Sequence, residues 1–398
     1  MRYILFFLFC FVTHAVYSQT NKLHFKSVLV DTHNDVLSSG VLDGIDISGR
    51  VKEGHSDLVR WKEGGLDIQF FSIWTGDKAR TKEGFYQDAL QEIDSLKRLT
   101  ARNPGRMVLA TTMGDVKRGL KKEQLVSLIG VEGGHMIEDD MNKLVELAKM
   151  GMRYMTITWN NSTSWASSAM DETLHADSLR HKGLNDFGKG VIRKMNELGV
   201  IVDLSHVGEQ TFYDAIATTT KPVLLSHSSV WNLCPVFRNV KDDQIKAVAK
   251  NNGVICINFF SGFISRKWDE TQRSLDNKDA KTKFLEEAGY QALSLTDTSV
   301  KAEADRKWRK YRSEKLDAAR PTIAELVDHI DYIVKLVGDD YVGIGSDYDG
   351  VGSLPVGMDD VTTYPKITEE LLRRGYSKSS IKKILGGNVL RVMKANFN

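Results

Sequence analysis

The chain has 398 residues, of which 41% are hydrophobic and 27% are charged, so it has enough apolar material for a large folded core. Its 54 Lys and Arg residues nearly balance its 52 Asp and Glu residues, which leaves a formal net charge of +2. This balance gives no reason to expect nucleic acid or an anionic membrane surface as a partner, and it favours a small substrate that is recognised locally.

Residues 1–18 have the pattern of a cleavable signal peptide. Arg2 precedes an apolar stretch from Ile4 to Val12. Val16 and Ser18 are small or apolar residues in the positions that precede a cleavage site. The apolar stretch is shorter than the ~20 residues that a membrane-spanning helix needs. We therefore expect an exported protein, periplasmic or extracellular, whose mature chain has no transmembrane span.

Eight short apolar runs alternate with segments of helical period along the chain. This alternation is typical of βα units that form a parallel sheet. The eight runs cover residues 27–30, 66–74, 125–131, 152–159, 199–205, 221–226, 253–260 and 341–346. They predict an α/β fold of the TIM-like (β/α)8 barrel type, in which the active site lies at the carboxyl ends of the strands. A ninth run, 107–113, is interpreted as a satellite strand beside the barrel.

A long, highly charged segment, Ser265 to Arg320, separates the seventh predicted strand from the eighth. Its composition is mostly helix-forming, so it predicts a helical insertion, either a solvated cover or a partner surface. The chain from Pro365 onward predicts two closing helices. The sequence contains no tract rich in Pro or Gly that would act as a linker. Residues 19–398 are therefore expected to form a single barrel domain.

Polar residues stand at the carboxyl ends of five predicted strands. The first strand ends in VDTHND, and because residues two apart on a strand point to the same side, its His and Asp can face one point together. Four other strand ends supply one His or carboxylate each. The six residues are His33, Asp35, Glu132, His206, His227 and Asp347. Any one of them can be explained as a hydrogen-bonded strand end, but six at one rim of a barrel predict a shared site.

All six residues are nitrogen or oxygen ligand types for a metal ion. Imidazole and carboxylate ligands suit Zn²⁺. Structural zinc sites are usually rich in cysteine, so a ligand set without cysteine argues against a structural zinc site. Three His and three carboxylates are too many for one catalytic zinc with an open position, so they predict two ions. Two metals ~3.5–4 Å apart can lower the pKa of a shared water and polarise a carbonyl. His329, in the predicted helix TIAELVDHIDYIVKLVG, is interpreted as a hydrogen-bonded helix residue and not as a further ligand.

These motifs together resemble the membrane dipeptidase (renal dipeptidase) family, peptidase M19, a branch of the amidohydrolase-like metal-dependent hydrolases. The similar segments are HND, GVEGGH, LSH, LLSHSS, FRNV and GIGSDYDG. DLVRWKEGGLDIQFFS and the closing KITEELLRRGYSKSSIKKILGGNVLRV fit as well, so the resemblance runs from about Val28 to Val392. Related amidohydrolases usually have His-x-His in the first strand, and the His-x-Asp of this chain makes the match specific.

The resemblance implies a metal-dependent dipeptidase with two Zn²⁺ ions, which hydrolyses the amide bond of dipeptides by a metal-bridged hydroxide and tolerates a C-terminal D-residue. The implied ligands are, for one ion, His33, Asp35 and Asp347, and for the other, His206 and His227, with Glu132 bridging both. The catalytic residues would be Glu132, as the bridge, and Asp347, which would accept a proton from the attacking water and donate it to the leaving amine.

Three further positions are predicted to bind the substrate. Arg238, in FRN, matches the family residue that binds the terminal carboxylate, which a guanidinium group can do with two hydrogen bonds. After the fourth strand the family usually has a His in a segment of the type LTLTH, where this chain has Trp159. An indole N–H donates a hydrogen bond but carries no charge, so it should stabilise an oxyanion less well. Asn160 or Asn161 is hypothesised to substitute, and Asn161 is taken as the candidate.

Two other functions stay open. An N-acyl amino acid deacylase or a hydrolase of peptidoglycan fragments would use the same two metals on a different amide bond. A peptide-binding pseudoenzyme would have little physical reason to keep a complete set of metal ligands. The expected partners are a small peptide substrate and, in a homodimer, a second copy of the chain.

Overall fold

The computed structural model describes residues 20–290 and 297–397, and the predicted signal peptide lies outside the described residues. Nine strands form one parallel sheet. They are β1 (Val30–Asp31), β2 (Ile68–Trp74), β3 (Met107–Leu109), β4 (Leu125–Glu132), β5 (Met152–Thr156), β6 (Ile201–Asp203), β7 (Leu224–Leu225), β8 (Val254–Ile257) and β9 (Val342–Ile344).

Eight of these strands close into a barrel, which confirms the predicted fold. Its order is β1, β2, β4, β5, β6, β7, β8 and β9, and β9 returns to pair with β1 through Asp31 and Ile344. In the described part of the chain, β3 pairs with β4 alone, where Met107 lies opposite Leu125. The ninth apolar run is therefore a satellite strand, as predicted.

Helices surround the barrel and follow most of its strands. After helical residues 20–24, they are α1 (Leu58–Glu63), α2 (Phe85–Arg102), α3 (Met113–Lys121), α4 (Met141–Met150), α5 (Ala169–Leu174), α6 (Asp186–Leu198), α7 (Glu209–Thr218), α8 (Asp242–Lys250), α9 (Ser261–Ile264), α10 (Arg266–Asp276), α11 (Ala280–Glu287), α12 (Thr298–Asp317), α13 (Ile323–Val337), α14 (Pro365–Arg373), α15 (Lys378–Lys382) and α16 (Asn388–Asn396). The predicted insertion is helical in its described residues, where α10, α11 and α12 pack against one another.

The strand side chains alternate between two apolar layers. Phe71 and Ile73 of β2 are buried with residues of the surrounding helices, whereas Ile68 and Phe70 belong to a second cluster inside the barrel. Val392 of α16 packs into that inner cluster and closes the amino-terminal end of the barrel. Apolar side chains thus fill the barrel toward its amino-terminal end, and the polar side chains lie at its carboxyl rim.

The start of helix α13 is determined by a capping motif in the local sequence. Thr322 and Glu325 form a capping box, in which the Thr322 hydroxyl accepts from the Glu325 N–H and the Glu325 carboxylate accepts from the Thr322 N–H. The helix buries Leu326 and Ile330 against the barrel. None of the helices in the described ranges is long and apolar enough to cross a membrane.

His329 lies on the buried face of α13 and makes two backbone hydrogen bonds. Its Nδ1 accepts from the N–H of Val230 at 2.9 Å, and its Nε2 lies 3.0 Å from the carbonyl oxygen of Ile264, which accepts. This arrangement confirms the interpretation as a hydrogen-bonded helix residue. Burial lowers the pKa of His329 to about 4, so the folded protein holds it neutral.

The buried His329 is expected to make stability depend on pH. The unfolded chain binds a proton at His329 below about pH 6.5, whereas the folded protein does so only near pH 4, so the free energy of unfolding should fall as the pH falls between these values. The full loss from this one group is about 3 kcal/mol. Urea unfolding of the wild type and of His329→Gln at pH 7 and pH 4.5 measures it. An equally steep pH dependence in both proteins would contradict the prediction.

Candidate metal centre

The predicted ligands come together at the carboxyl rim of the barrel, and none is more than 8% exposed. His33 and Asp35 follow β1, Glu132 ends β4, His206 follows β6, His227 follows β7, and Asp347 follows β9. His206 and Asp347 have positive φ angles of 66° and 62°, a backbone conformation that is uncommon for non-glycine residues.

Glu132 lies at the centre of the three imidazoles. Its Oε2 is 3.3 Å from Nε2 of His33, and its Oε1 is 3.0 Å from Nε2 of His206 and 3.3 Å from Nε2 of His227. The Ser72 hydroxyl donates to Oε2 at 3.1 Å and helps to fix the carboxylate. The two oxygens of Glu132 therefore face different histidines, as a carboxylate that bridged two metal ions would require.

Two carboxylates complete the other side of the cluster. The Oδ2 of Asp35 is 3.3 Å from Nε2 of His33, and one ligand atom each of His33, Asp35 and Asp347 lie within 4.8 Å of one another. Asn258, which follows β8, donates from Nδ2 to Oδ2 of Asp347 at 2.7 Å. A Cβ at Gly350 would lie 2.3 Å from Asp35 Oδ2 and 2.4 Å from Asp347 Oδ1, so the loop must approach these carboxylates without a side chain.

The protonation states suit metal ligands. Burial lowers the pKa of His206 to about 3 and that of His227 well below its usual value, so both imidazoles are neutral and have a free lone pair. Although burial opposes it, the surrounding imidazoles hold the pKa of Glu132 well below its usual range. Burial also opposes protonation of His33, but the charges of Glu132 and Asp35 raise its pKa well above 6.5. A site that attracts a proton so strongly also attracts a cation.

In each of the three histidines, the ring nitrogen Nδ1, which faces away from Glu132, lies within hydrogen-bond distance of an oxygen atom. The Nδ1 of His33 lies 3.0 Å from the Tyr154 hydroxyl, and Nδ1 of His206 lies 2.9 Å from Asn160 Oδ1. The Nδ1 of His227 lies 2.7 Å from the Ser226 hydroxyl. With Nδ1 occupied in this way, all three Nε2 atoms turn toward Glu132. The Nε2 atoms of His206 and His227 are only 2.9 Å apart, and two lone pairs at this distance repel unless a proton or a metal ion lies between them.

A cavity of about 430 Å³ opens above the cluster. Its lining includes the polar groups Asp35, Glu132, His206, His227 and Asp347. Its apolar wall includes five aromatic residues, Trp74, Trp159, Phe237, Phe260 and Phe263. This combination of an apolar wall and a few converging polar groups is typical of a site for a small molecule.

Arg238 also lines this cavity and is 5% exposed. Its Nη2 donates to the carbonyl oxygen of His227 at 3.2 Å, and its guanidinium carbon lies 5.3 Å from the centre of the Phe263 ring. Its Nη1 is buried and has no hydrogen-bond partner in the described part of the chain. A buried charged donor without a partner is costly, so this position suits an anionic group of a ligand.

A model of the membrane dipeptidase family, peptidase family M19, matches residues 17–397. The chain belongs to this family. The match covers nearly the whole chain, and it establishes a metal-dependent dipeptidase of the M19 type, as the resemblance of the motifs predicts.

Several solved structures share the fold of this dipeptidase. The probable dipeptidase PvdM from Pseudomonas aeruginosa is 25% identical, with a TM-score of 0.78, and the alignment covers 96% of this chain and 98% of PvdM. A metallo peptidase from Rhodobacter sphaeroides, whose structure contains a phosphinate mimic of the dipeptide L-Ala-D-Ala, is 21% identical. Its TM-score is 0.71, with 93% of this chain and 100% of that chain covered. An amidohydrolase from P. aeruginosa is 20% identical, with a TM-score of 0.69 over 95% of this chain and 99% of that chain.

The dipeptidase places Trp159 in the cavity wall, where its ring packs edge-on against Trp74 at 5.3 Å. Asn160 lines the same cavity and contacts His206. Asn161 does not line it, and its Oδ1 is buried without a hydrogen-bond partner in the described part. A substrate role for Asn161 stays a prediction, and Asn160 is the amide that contacts His206, one of the predicted metal ligands.

Several residues that support the site of the dipeptidase were not predicted from the sequence. Tyr154 and Ser226 contact ligand histidines, and Asn258 contacts Asp347. Asn258 had a recognisable signal, because a polar residue in the apolar run GVICINF is unusual for a buried strand. Tyr154 had no such signal, since a tyrosine in an apolar strand is normally interpreted as a residue of the packed core.

Proposed function

We propose that this protein is an exported dinuclear zinc dipeptidase. The observation that carries the proposal is the position of Glu132, whose two oxygens face different histidines at 3.0–3.3 Å. In the proposed assignment one Zn²⁺ is held by His33, Asp35 and Asp347, the other by His206 and His227, and Glu132 joins them. The signal-peptide pattern of residues 1–18 supports export.

When bound, two Zn²⁺ ions would activate a water and polarise the scissile carbonyl. The protein itself supplies proton transfer, for which Asp347 is the proposed group. Burial raises the pKa of Asp347 well above its usual range; His33 opposes this rise, and Asp35 and Glu132 add to it. Asn258 holds Oδ2 of Asp347 at 2.7 Å, and the other oxygen, Oδ1, would accept a proton from the attacking water and return it to the leaving amine.

Arg238 is the proposed anchor for the substrate's terminal carboxylate. Its Nη1 is buried and has no hydrogen-bond partner among the described residues, and the Phe263 ring packs beside the guanidinium group, 5.3 Å from its carbon to the ring centre. Burial lowers the pKa of Arg238 to about 10, which still leaves it charged at neutral pH. A small substrate with a free carboxylate would satisfy this donor and would place its amide bond over the metal cluster.

A second candidate is an N-acyl amino acid deacylase, and the aromatic wall favours it. Trp159 stands where dipeptidases of the family usually have a His, and it adjoins Trp74. A pair of indole rings packs well against an acyl chain but gives no charge to a free amino group or an oxyanion. The carboxylate anchor Arg238 would serve both substrate classes.

The function is tested with zinc-loaded protein by amine release from L-Ala-L-Ala, L-Ala-D-Ala, Gly-D-Ala and an N-acetyl amino acid. We expect hydrolysis of the free dipeptides, including those with a C-terminal D-residue, and its loss in Asp347→Asn. Activity confined to the acetylated substrate would replace the dipeptidase proposal by the deacylase. No activity on any substrate, with stoichiometric zinc bound, would contradict both.

Replacing Trp159 by histidine is expected to raise kcat/KM on the free dipeptides by about tenfold. An imidazole can carry the charge that stabilises an oxyanion, which the indole cannot. Steady-state kinetics on the same panel measure the change, with Trp74→His as the control because Trp74 lines the same cavity. A variant without any gain would show that this position does not limit peptide hydrolysis.

A further inference from the structure

Asp203 is a carboxylate outside the predicted ligand set. It lies beneath the predicted metal ligands and is fully buried. Four donors converge on it. Its Oδ1 accepts from the N–H groups of Ser205 at 3.1 Å and of Ser226 at 2.8 Å. Its Oδ2 accepts from the hydroxyls of Thr156 and Ser226, both at 2.6 Å. Burial raises the pKa of Asp203, and the four hydrogen bonds offset only part of this rise. Four donors fill the four acceptor positions of an ionised carboxylate.

The hydroxyl of Ser226 joins this carboxylate to a metal ligand. It has one proton, and that proton is donated to Asp203 at 2.6 Å. A second contact of the hydroxyl, with Ser205 Oγ, is much longer at 3.4 Å. The lone pairs of Ser226 are therefore free to accept, and they face Nδ1 of His227 at 2.7 Å. A proton of the imidazole must then lie on Nδ1, and Nε2 faces Nε2 of His206 at 2.9 Å, where a metal ion or a second proton can bind between the two nitrogens.

We propose that Asp203 is a positioning residue that fixes the tautomer of His227 through Ser226 and thereby keeps Nε2 ready to bind a metal ion. The Nε2 of His227 lies 3.3 Å from Glu132 Oε1, on the side where the ion of the proposed function would bind. The proposal rests on that function for the identity of the metal, but the proton on Nδ1 follows from the hydrogen bonds of Ser226 alone. Groups that orient a ligand in this way typically change metal affinity by ~10–100-fold.

An amide in place of the carboxylate reverses the direction of the chain of hydrogen bonds. In Asp203→Asn, the side-chain oxygen can still accept from the two backbone N–H groups, and the NH₂ group then faces the hydroxyls of Thr156 and Ser226. Ser226 must accept from this NH₂ group, so its own proton turns toward Nδ1 of His227. The imidazole proton moves to Nε2, where it competes with the metal.

Thr156 provides a matched control. Thr156→Val and Ser226→Ala each remove one hydroxyl that donates to the same oxygen of Asp203, but only Ser226 contacts His227. Both variants should lose similar stability in urea unfolding. Only Ser226→Ala, together with Asp203→Asn, should weaken zinc binding, by about 10–100-fold in competition with a chromophoric chelator.

The tautomer is read directly by long-range ¹H–¹⁵N NMR of protein labelled at histidine, with His227→Gln to assign the signal. In zinc-free wild type and Thr156→Val we expect a proton on Nδ1 of His227, and in Asp203→Asn we expect Nδ1 to be unprotonated and Nε2 to hold the proton. Equal zinc affinity in Ser226→Ala and Thr156→Val, or an unchanged tautomer in Asp203→Asn, would overturn the proposal. A wild type that binds no zinc would refute the proposed function, while the zinc-free spectra would still decide the role of Asp203.

Discussion

The Glu132→Gln variant is expected to lose bound zinc and to hydrolyse the best substrate of the panel with kcat/KM reduced by about 1,000-fold or more. The six predicted ligands include three carboxylates. In the described structure, Glu132 is the only one of these three that lies within 3.3 Å of all three ligand histidines. Glutamine keeps the shape of the side chain. It replaces one negatively charged oxygen by an NH₂ group, which cannot bind a metal ion and which faces imidazole nitrogens.

Metal analysis after dialysis, together with kcat/KM, tests this expectation. Asp67→Asn is the control, because Asp67 precedes β2 at the opposite end of the barrel and accepts from the N–H of Leu29 at 2.8 Å. It should keep both its metal content and its activity. If Glu132→Gln retained two zinc ions and wild-type kcat/KM, the bridging role would be wrong and the ligand set would need to be reassigned.

The Arg238→Met variant is expected to discriminate between substrates with and without a terminal carboxylate. For a free dipeptide, kcat/KM should fall by about 100-fold, because the loss of one partner of a buried charge pair costs ~2–5 kcal/mol. For the matching dipeptide amide, which has no carboxylate to bind, the change should be less than about threefold. Methionine preserves the apolar stem beside Phe263 and removes only the guanidinium group.

Arg238→Lys separates charge from geometry in the same experiment. A lysine ammonium keeps the charge but loses the fork that can bind both carboxylate oxygens, so its kcat/KM on the free dipeptide should lie between those of the wild type and Arg238→Met. Equal losses on the dipeptide and on its amide in Arg238→Met would mean that Arg238 supports the structure of the site and does not bind the carboxylate.

The barrel and its rim of ligand types were predictable from the sequence because both depend on local patterns. Apolar runs separated by helical segments indicate parallel strands, and the carboxyl ends of such strands meet at one rim. The strand bounds were less predictable. The run at 152–159 forms a strand only over Met152–Thr156, and the polar end of that run leaves the sheet to place Trp159 and Asn160 in the cavity wall.

The sequence by itself therefore determined the fold class, the family, and the placement of His33, Asp35, Glu132, His206, His227 and Asp347 at one rim. Only the tertiary structure decided which groups hold these ligands. Tyr154 reaches His33 across 121 positions of sequence, and Thr156 reaches Asp203 across 47. Such hydrogen bonds leave no periodic signal, because the residues are far apart in sequence. Thr156 and Asp203 meet where β5 pairs with β6, and Tyr154 and His33 meet although β5 and β1 are not neighbouring strands.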